Sequence, residues 1–136
     1  MAAIRLGICY ASEEIITVLN KIKPPYNVNQ LTQEAALTAL QDQEKVNSEI
    51  EKIISERDQL MVELHKIEIV KEIFPSDANF LLARVDDANL RYNQLIKEGI
   101  VVRNRSNQTL CDNCLRFTVG TEEENERLIK VLRKLN

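Results

Sequence analysis

The sequence predicts an α+β fold, a small and mainly antiparallel sheet with helices on one side. Three observations carry that prediction. Residues 29–67 hold no proline or glycine, and their apolar residues fall three and four apart at Val46, Ile50, Ile53, Leu60, Leu64 and Ile67. Two pairs of short apolar runs follow, each pair divided by turn-forming residues. A helical pattern separates the pairs and another closes the chain, so the order is helix, long helix, strand pair, helix, hairpin, helix.

Residues 3–11, AIRLGICYA, read as a short apolar strand carrying one arginine, Arg5. Ser12 is placed to N-cap a helix through about Leu19, with Glu13 and Glu14 in the first turn where the helix dipole favours anions. Pro24 and Pro25 stop that helix and force an extended connection. Residues 29–67 then read as one long helix, with 41–43 as the place for any break. At about 1.5 Å per residue such a helix exceeds roughly 50 Å. That length suits a helix that joins two domains or packs on a partner. Residues 68–74 and 78–85 are two strands about a turn at Pro75, Ser76 and Asp77. The nearly continuous apolar run NFLLARV marks the second as central. Asp86 or Asp87 opens a helix that stops at Gly99, a residue suited to the left-handed conformation. Thr121 and Glu124 have capping-box spacing and open the last helix, which runs to about Leu135.

The hairpin between those two helices holds the candidate site. Arg103 ends one apolar run (Ile100, Val101, Val102) and Arg116 sits inside the next (Leu115, Phe117, Val119). If Arg103 faces Arg116 across an antiparallel pair, Ile100, Val102, Leu115, Phe117 and Val119 share the core face. Val101, Arg103, Arg116 and Thr118 then share the other. A slip of one residue would mix the faces, which supports this register. Two guanidiniums on one face repel unless an anion lies between them, and the planar fork of arginine suits phosphate or carboxylate. The competing account is two surface arginines paired with local acids.

Composition narrows the function classes. The chain has 136 residues, 44% hydrophobic and 29% charged, as expected of one globular domain with a real core. A net charge of −3 argues against nucleic acid, and no apolar run approaches the length of a membrane span. No signal peptide is visible. Cys9, Cys111 and Cys114 are an odd number and no disulfide framework, which fits a reducing cytoplasm. Cys111 and Cys114 form a C-x-x-C, but in a hairpin loop and without two further ligands in step, so no metal site is expected. His65, the single histidine, has no clustered partner. No glycine-rich phosphate loop or nucleophile elbow appears. From its residues alone, the chain offers anion-binding arginines and no nucleophile, base or metal.

Four segments carry a resemblance: AAIRLGICYAS at 2–12, NKIKPPYNV at 20–28, FPSDANFLLARV at 74–85, and GIVVRNRSN with CLRFTVGTEEEN within 99–125. In this order they resemble the C-terminal part of the histidinol-phosphate aminotransferases, pyridoxal 5'-phosphate enzymes of histidine biosynthesis with the aspartate-aminotransferase type of fold (fold type I). The resemblance implies that residues 1–28 are a remnant of the large cofactor-binding domain and the interdomain connection. It makes 29–67 the linking helix and 68–136 the small C-terminal domain. It implies that Arg5 contacts the phosphate of the cofactor, and that Arg103 and Arg116 clamp the phosphate of a small-molecule substrate. It implies a homodimeric parent. The Schiff-base lysine of the family falls upstream of Met1, so the chain by itself is expected not to transaminate. Two alternatives stand beside this reading: a stand-alone, non-catalytic domain that binds a phosphorylated ligand, and a dimerisation module built on the long helix.

Overall fold

The computed structural model describes residues 4–135. The chain divides into two compact units, Met1–Asn47 and Ser48–Asn136, with the division inside a helix.

The first unit is helical. Helix α1 (Glu13–Ile22) begins at Ser12, whose backbone is extended but whose side chain makes no capping bond. Its two first-turn glutamates are left to complement the dipole. Helix α2 (Gln30–Leu40) is capped by Asn29, whose side-chain oxygen accepts from the Thr32 N–H at 2.9 Å. The strand expected over 3–11 does not form. Ala3 lies outside the described residues, Arg5 sits in a turn at φ +56°, and residues 6–11 are irregular. An apolar run becomes a strand only where a neighbour takes its backbone N–H and C=O groups. The observed sheet uses four strands, all later in the chain.

The single helix expected over 29–67 is two helices. Helix α3 (Gln43–Leu64) starts afresh after Gln41 and Asp42. The Asp42 carboxylate accepts from the Lys45 N–H at 3.1 Å. The Gln41 and Asp42 N–H groups close back on Thr38 and Ala39 at 3.2 and 3.3 Å. An aspartate that takes backbone donors at its own position starts a helix better than it continues one. The break thus falls in the 41–43 window. The C-terminal half of α3 buries Leu60 and Leu64, whereas Ile50, Ile53 and Ile54 stay exposed.

The second unit is a four-stranded antiparallel sheet with helices packed on one face. Strands β1 (Val70–Ile73), β2 (Phe80–Val85), β3 (Arg103–Asn104) and β4 (Cys114–Thr118) lie in the order β1-β2-β4-β3. Helix α4 (Ala88–Lys97) links β2 to β3, and α5 (Glu122–Lys134) follows β4. Strand β2 is central, as expected, but only alternate residues are buried: Leu81, Ala83 and Val85. Cross-strand partners share a face. Leu81 faces Phe117 and Ala83 faces Leu115, and this face forms the core with Leu64, Leu95 and Leu132. Phe80, Leu82 and Arg84 face the opposite side and remain partly exposed. Asp87 N-caps α4 through the Leu90 N–H at 2.9 Å, and Gly99 ends the turn after it at φ +73°, where a Cβ would be strained.

Candidate functional site

The hairpin register holds. Arg103 is the direct cross-strand partner of Arg116, with Asn104 opposite Leu115. Val102, Leu115 and Phe117 are buried, while Val101 and Thr118 are exposed. The first arm is shorter than its apolar run: regular pairing covers Arg103 and Asn104, and residues 100–102 approach without strand geometry. After the pair, the Arg105 N–H reaches the Cys114 carbonyl at 2.8 Å, and successive turns bring the chain round to β4.

The outer sheet face carries three arginines in two different states. Arg84 is satisfied: its Nε meets the Glu72 carboxylate at 3.2 Å and its Nη1 donates to the Asp112 carbonyl at 2.6 Å. Glu72 raises the Arg84 pKa above its ordinary value. Arg103 and Arg116 differ, because no carboxylate lies within ion-pair distance of either among the described residues. The Cζ of Arg116 lies 4.8 Å from the centroid of the Phe80 ring, and its Nε is buried with no hydrogen-bond partner. Two like charges on paired strands repel unless a counter-charge lies between them, and a guanidinium suits phosphate or carboxylate. A surface arginine paired with a local acid describes Arg84, and among the described residues neither Arg103 nor Arg116 makes such a pair.

The end of β4 is held by the segment that follows. Thr121 and Glu124 make the full capping box. A Cβ at Gly120 would stand 2.9 Å from the Glu124 Cβ and 2.7 Å from its carboxylate, so a larger residue there would push on the capping box. Asn125, 7% exposed, accepts from the Gly120 N–H at 3.0 Å and donates to Glu56 on α3 at 2.8 Å. These bonds tie the exit of the arginine strand to two helices.

The remaining candidates resolve plainly. Arg5 is exposed in the first unit, and Arg103 and Arg116 belong to the second. His65 is exposed, with Nδ1 at 2.8 Å from the Met61 carbonyl at a helix end. Cys9, Cys111 and Cys114 are free thiols. Cys114 is buried, and burial pushes its pKa up, the opposite of an activated thiolate. No group of His, Cys, Asp or Glu able to hold a metal occurs among the described residues. Nor is any described helix long and apolar enough to cross a membrane. Sequence reading missed Phe80, Glu72 and Arg84 as parts of this face. The signal was present in NFLLARV, whose alternation puts Phe80, Leu82 and Arg84 on the side of Arg116 once β2 is paired with β4.

The second unit is a small antiparallel sheet flanked by helices, the architecture of the C-terminal domain of a fold-type I pyridoxal aminotransferase. The chain belongs to the aminotransferase class I and II family, whose model matches residues 1–132. It is 60% identical over 136 residues to a histidinol-phosphate aminotransferase of Flavobacterium johnsoniae, covering 100% of this chain and 39% of that protein. The chain therefore spans about two-fifths of the length of the curated relatives it matches. Among solved structures it resembles the histidinol-phosphate aminotransferase of Clostridium acetobutylicum, with a TM-score of 0.81, 30% identity, and coverage of 90% of this chain and 38% of that one. The Sinorhizobium meliloti histidinol-phosphate aminotransferase, solved with pyridoxal-5'-phosphate, shares the fold with a TM-score of 0.71 at 22% identity, over 88% of this chain and 34% of that one.

Proposed function

We propose that this chain is the substrate-phosphate-binding part of a histidinol-phosphate aminotransferase, which moves an amino group between histidinol phosphate and 2-oxoglutarate in histidine biosynthesis. The observation that carries the reading is the directly opposed Arg103 and Arg116, with no carboxylate in ion-pair range of either among the described residues. A phosphate monoester brings two negative charges and three acceptor oxygens, which suits two guanidiniums. The high identity to proteins named for this substrate supports the same choice. In this reading residues 1–28 belong with the large domain of such an enzyme, 29–67 link the domains, and 68–136 form the small domain. Homodimeric assembly and a reducing cytoplasmic setting, which suits three free thiols, belong to the same proposal.

The cofactor of the reading is pyridoxal 5'-phosphate, which supplies an electron sink when bound. Arg5 is proposed to meet its phosphate. In this reading its covalent attachment is not assigned to the second unit. The strands bring arginines, not lysines, to the outer face, and Lys71 of β1 instead donates to the Glu68 carbonyl at 2.8 Å. Lys66 pairs with Glu63 at 2.5 Å. The chain on its own is proposed not to turn over histidinol phosphate with 2-oxoglutarate, and turnover above a protein-free control would refute this.

Calorimetric titration with histidinol phosphate and with histidinol tests the site. Binding is expected to need the phosphate, and Arg116→Ala should weaken it roughly 10- to 150-fold, the worth of a charge-assisted hydrogen bond. Equal affinity for the two ligands would overturn the reading.

A further inference from the structure

Arg116 holds its position without the contacts that normally hold an arginine. Its Nε is buried and unpartnered, and no carboxylate pairs with it among the described residues. What it does have is an aromatic ring: Phe80 lies with its centroid 4.8 Å from the guanidinium carbon. The register explains the pairing. Phe80 faces Thr118 and Leu82 faces Arg116, so Phe80 and Arg116 are diagonal neighbours on one face, within reach of an aromatic side chain. The ring is itself anchored through its backbone. The Ser76 hydroxyl donates to the Phe80 carbonyl at 2.7 Å and accepts from the Ala78 N–H at 3.2 Å. The Val119 N–H also reaches the Asn79 carbonyl at 2.9 Å. The turn before β2 thus sets where the ring stands, within 4.8 Å of the guanidinium carbon.

A guanidinium stacked on a ring keeps its charge available, because the ring contributes no hydrogen-bond acceptor to compete with a ligand. A carboxylate in the same place would neutralise the group, as Glu72 does for Arg84. We propose that Phe80 is a positioning residue for the anion site, whose ring holds Arg116 in place and uncommitted so that its outer nitrogens meet a phosphate oxyanion together with Arg103. The proposal rests on the reading of Arg116 as an anion-binding residue and adds the element that orients it.

The test uses the full chain, inorganic phosphate as probe, and arginine Nε–Hε NMR correlations. In the wild type the Arg116 Hε signal is expected to be displaced by the ring current of Phe80, and phosphate should shift the Arg103 and Arg116 signals. Phe80→Leu should return Hε to an ordinary position and weaken phosphate binding about fivefold, the scale of a partly desolvated cation–π contact. Phe80→Tyr keeps a ring and should restore both, an outcome that simple loss of packing would not produce. Wild-type phosphate affinity in Phe80→Leu, beside loss of binding in Arg116→Ala, overturns the positioning role and leaves the anion site standing. Phosphate binding that survives Arg116→Ala defeats the anion site, and the positioning role falls with it. If Phe80→Leu fails to fold, the ring-current displacement in the wild type and the Phe80→Tyr titration still decide: an undisplaced Hε refutes the stack.

Discussion

Asn125 should be the most sensitive polar position in the second unit. Its amide makes three hydrogen bonds: it accepts from the Gly120 N–H at 3.0 Å and donates to the Glu56 carboxylate at 2.8 Å and the Gly120 carbonyl at 3.2 Å. Asn125→Ala removes all three at a site only 7% exposed. The half-buried Gly120 N–H loses its acceptor, Glu56 loses its donor, and a small void remains. Together these should cost about 2–4 kcal/mol. For a unit of this size that corresponds to a Tm loss of roughly 10–20 °C. Asn125→Asp gives a sharper test because it sets two carboxylates at hydrogen-bond distance. Their repulsion raises the folded-state pKa of the pair above unfolded values. The variant should therefore approach wild-type stability below those values and fall away as pH rises through the raised pKa. Urea unfolding followed by circular dichroism, against wild type at pH 4.5 and pH 7, reads both effects. A wild-type midpoint for Asn125→Ala, or an Asn125→Asp deficit no larger at pH 7 than at pH 4.5, would refute the account of this network.

Asp86 is held by Arg91 through two bonds, at 2.9 and 2.5 Å, and this bond to Arg91 depresses its pKa from 3.8 to about 2. The folded pKa is the lower one, so the stabilisation is complete above the unfolded value and is lost as pH falls from about 4 to about 2. With Asp86 a third exposed, the contribution is roughly 1–2 kcal/mol, and Asp86→Asn should flatten that part of the acid-unfolding curve. Gly120→Ala forces its Cβ to 2.9 Å from the Glu124 Cβ. It should break the capping box, costing about 1–3 kcal/mol in chemical denaturation. Phe117→Ala empties the centre of the sheet's inner face, where the ring is fully buried, and should cost about 3–5 kcal/mol, enough for loss of a cooperative melt.

The arginine pair was legible in the sequence because β periodicity is local. Leu115 and Phe117 had to share a face, and that put Arg116 on the same face as Arg103 in any register that kept the core intact. The capping box at Thr121 and the Gly99 stop were legible for the same reason, since each is settled within a few residues. What surrounds Arg116 was not legible. Phe80 lies 36 positions earlier in the chain, and its ring reaches the guanidinium only because β2 pairs with β4 rather than β3. Glu72 reaches Arg84 for a similar reason, one strand further out.

The sequence by itself determined most of the elements, the caps at Asp87 and Thr121, the face each residue takes along a strand, and the resemblance that names the family. It over-read 3–11, because an apolar run shows strand potential and cannot show whether a neighbour is there to bond it. Tertiary structure alone decided the strand order, the fate of each arginine, and which of three guanidiniums would be left without a counter-charge. The physical reason is range. Periodicity and capping act over a turn or a pleat, while the partner of a charge is chosen by whichever distant segment the packed sheet brings within a few ångströms.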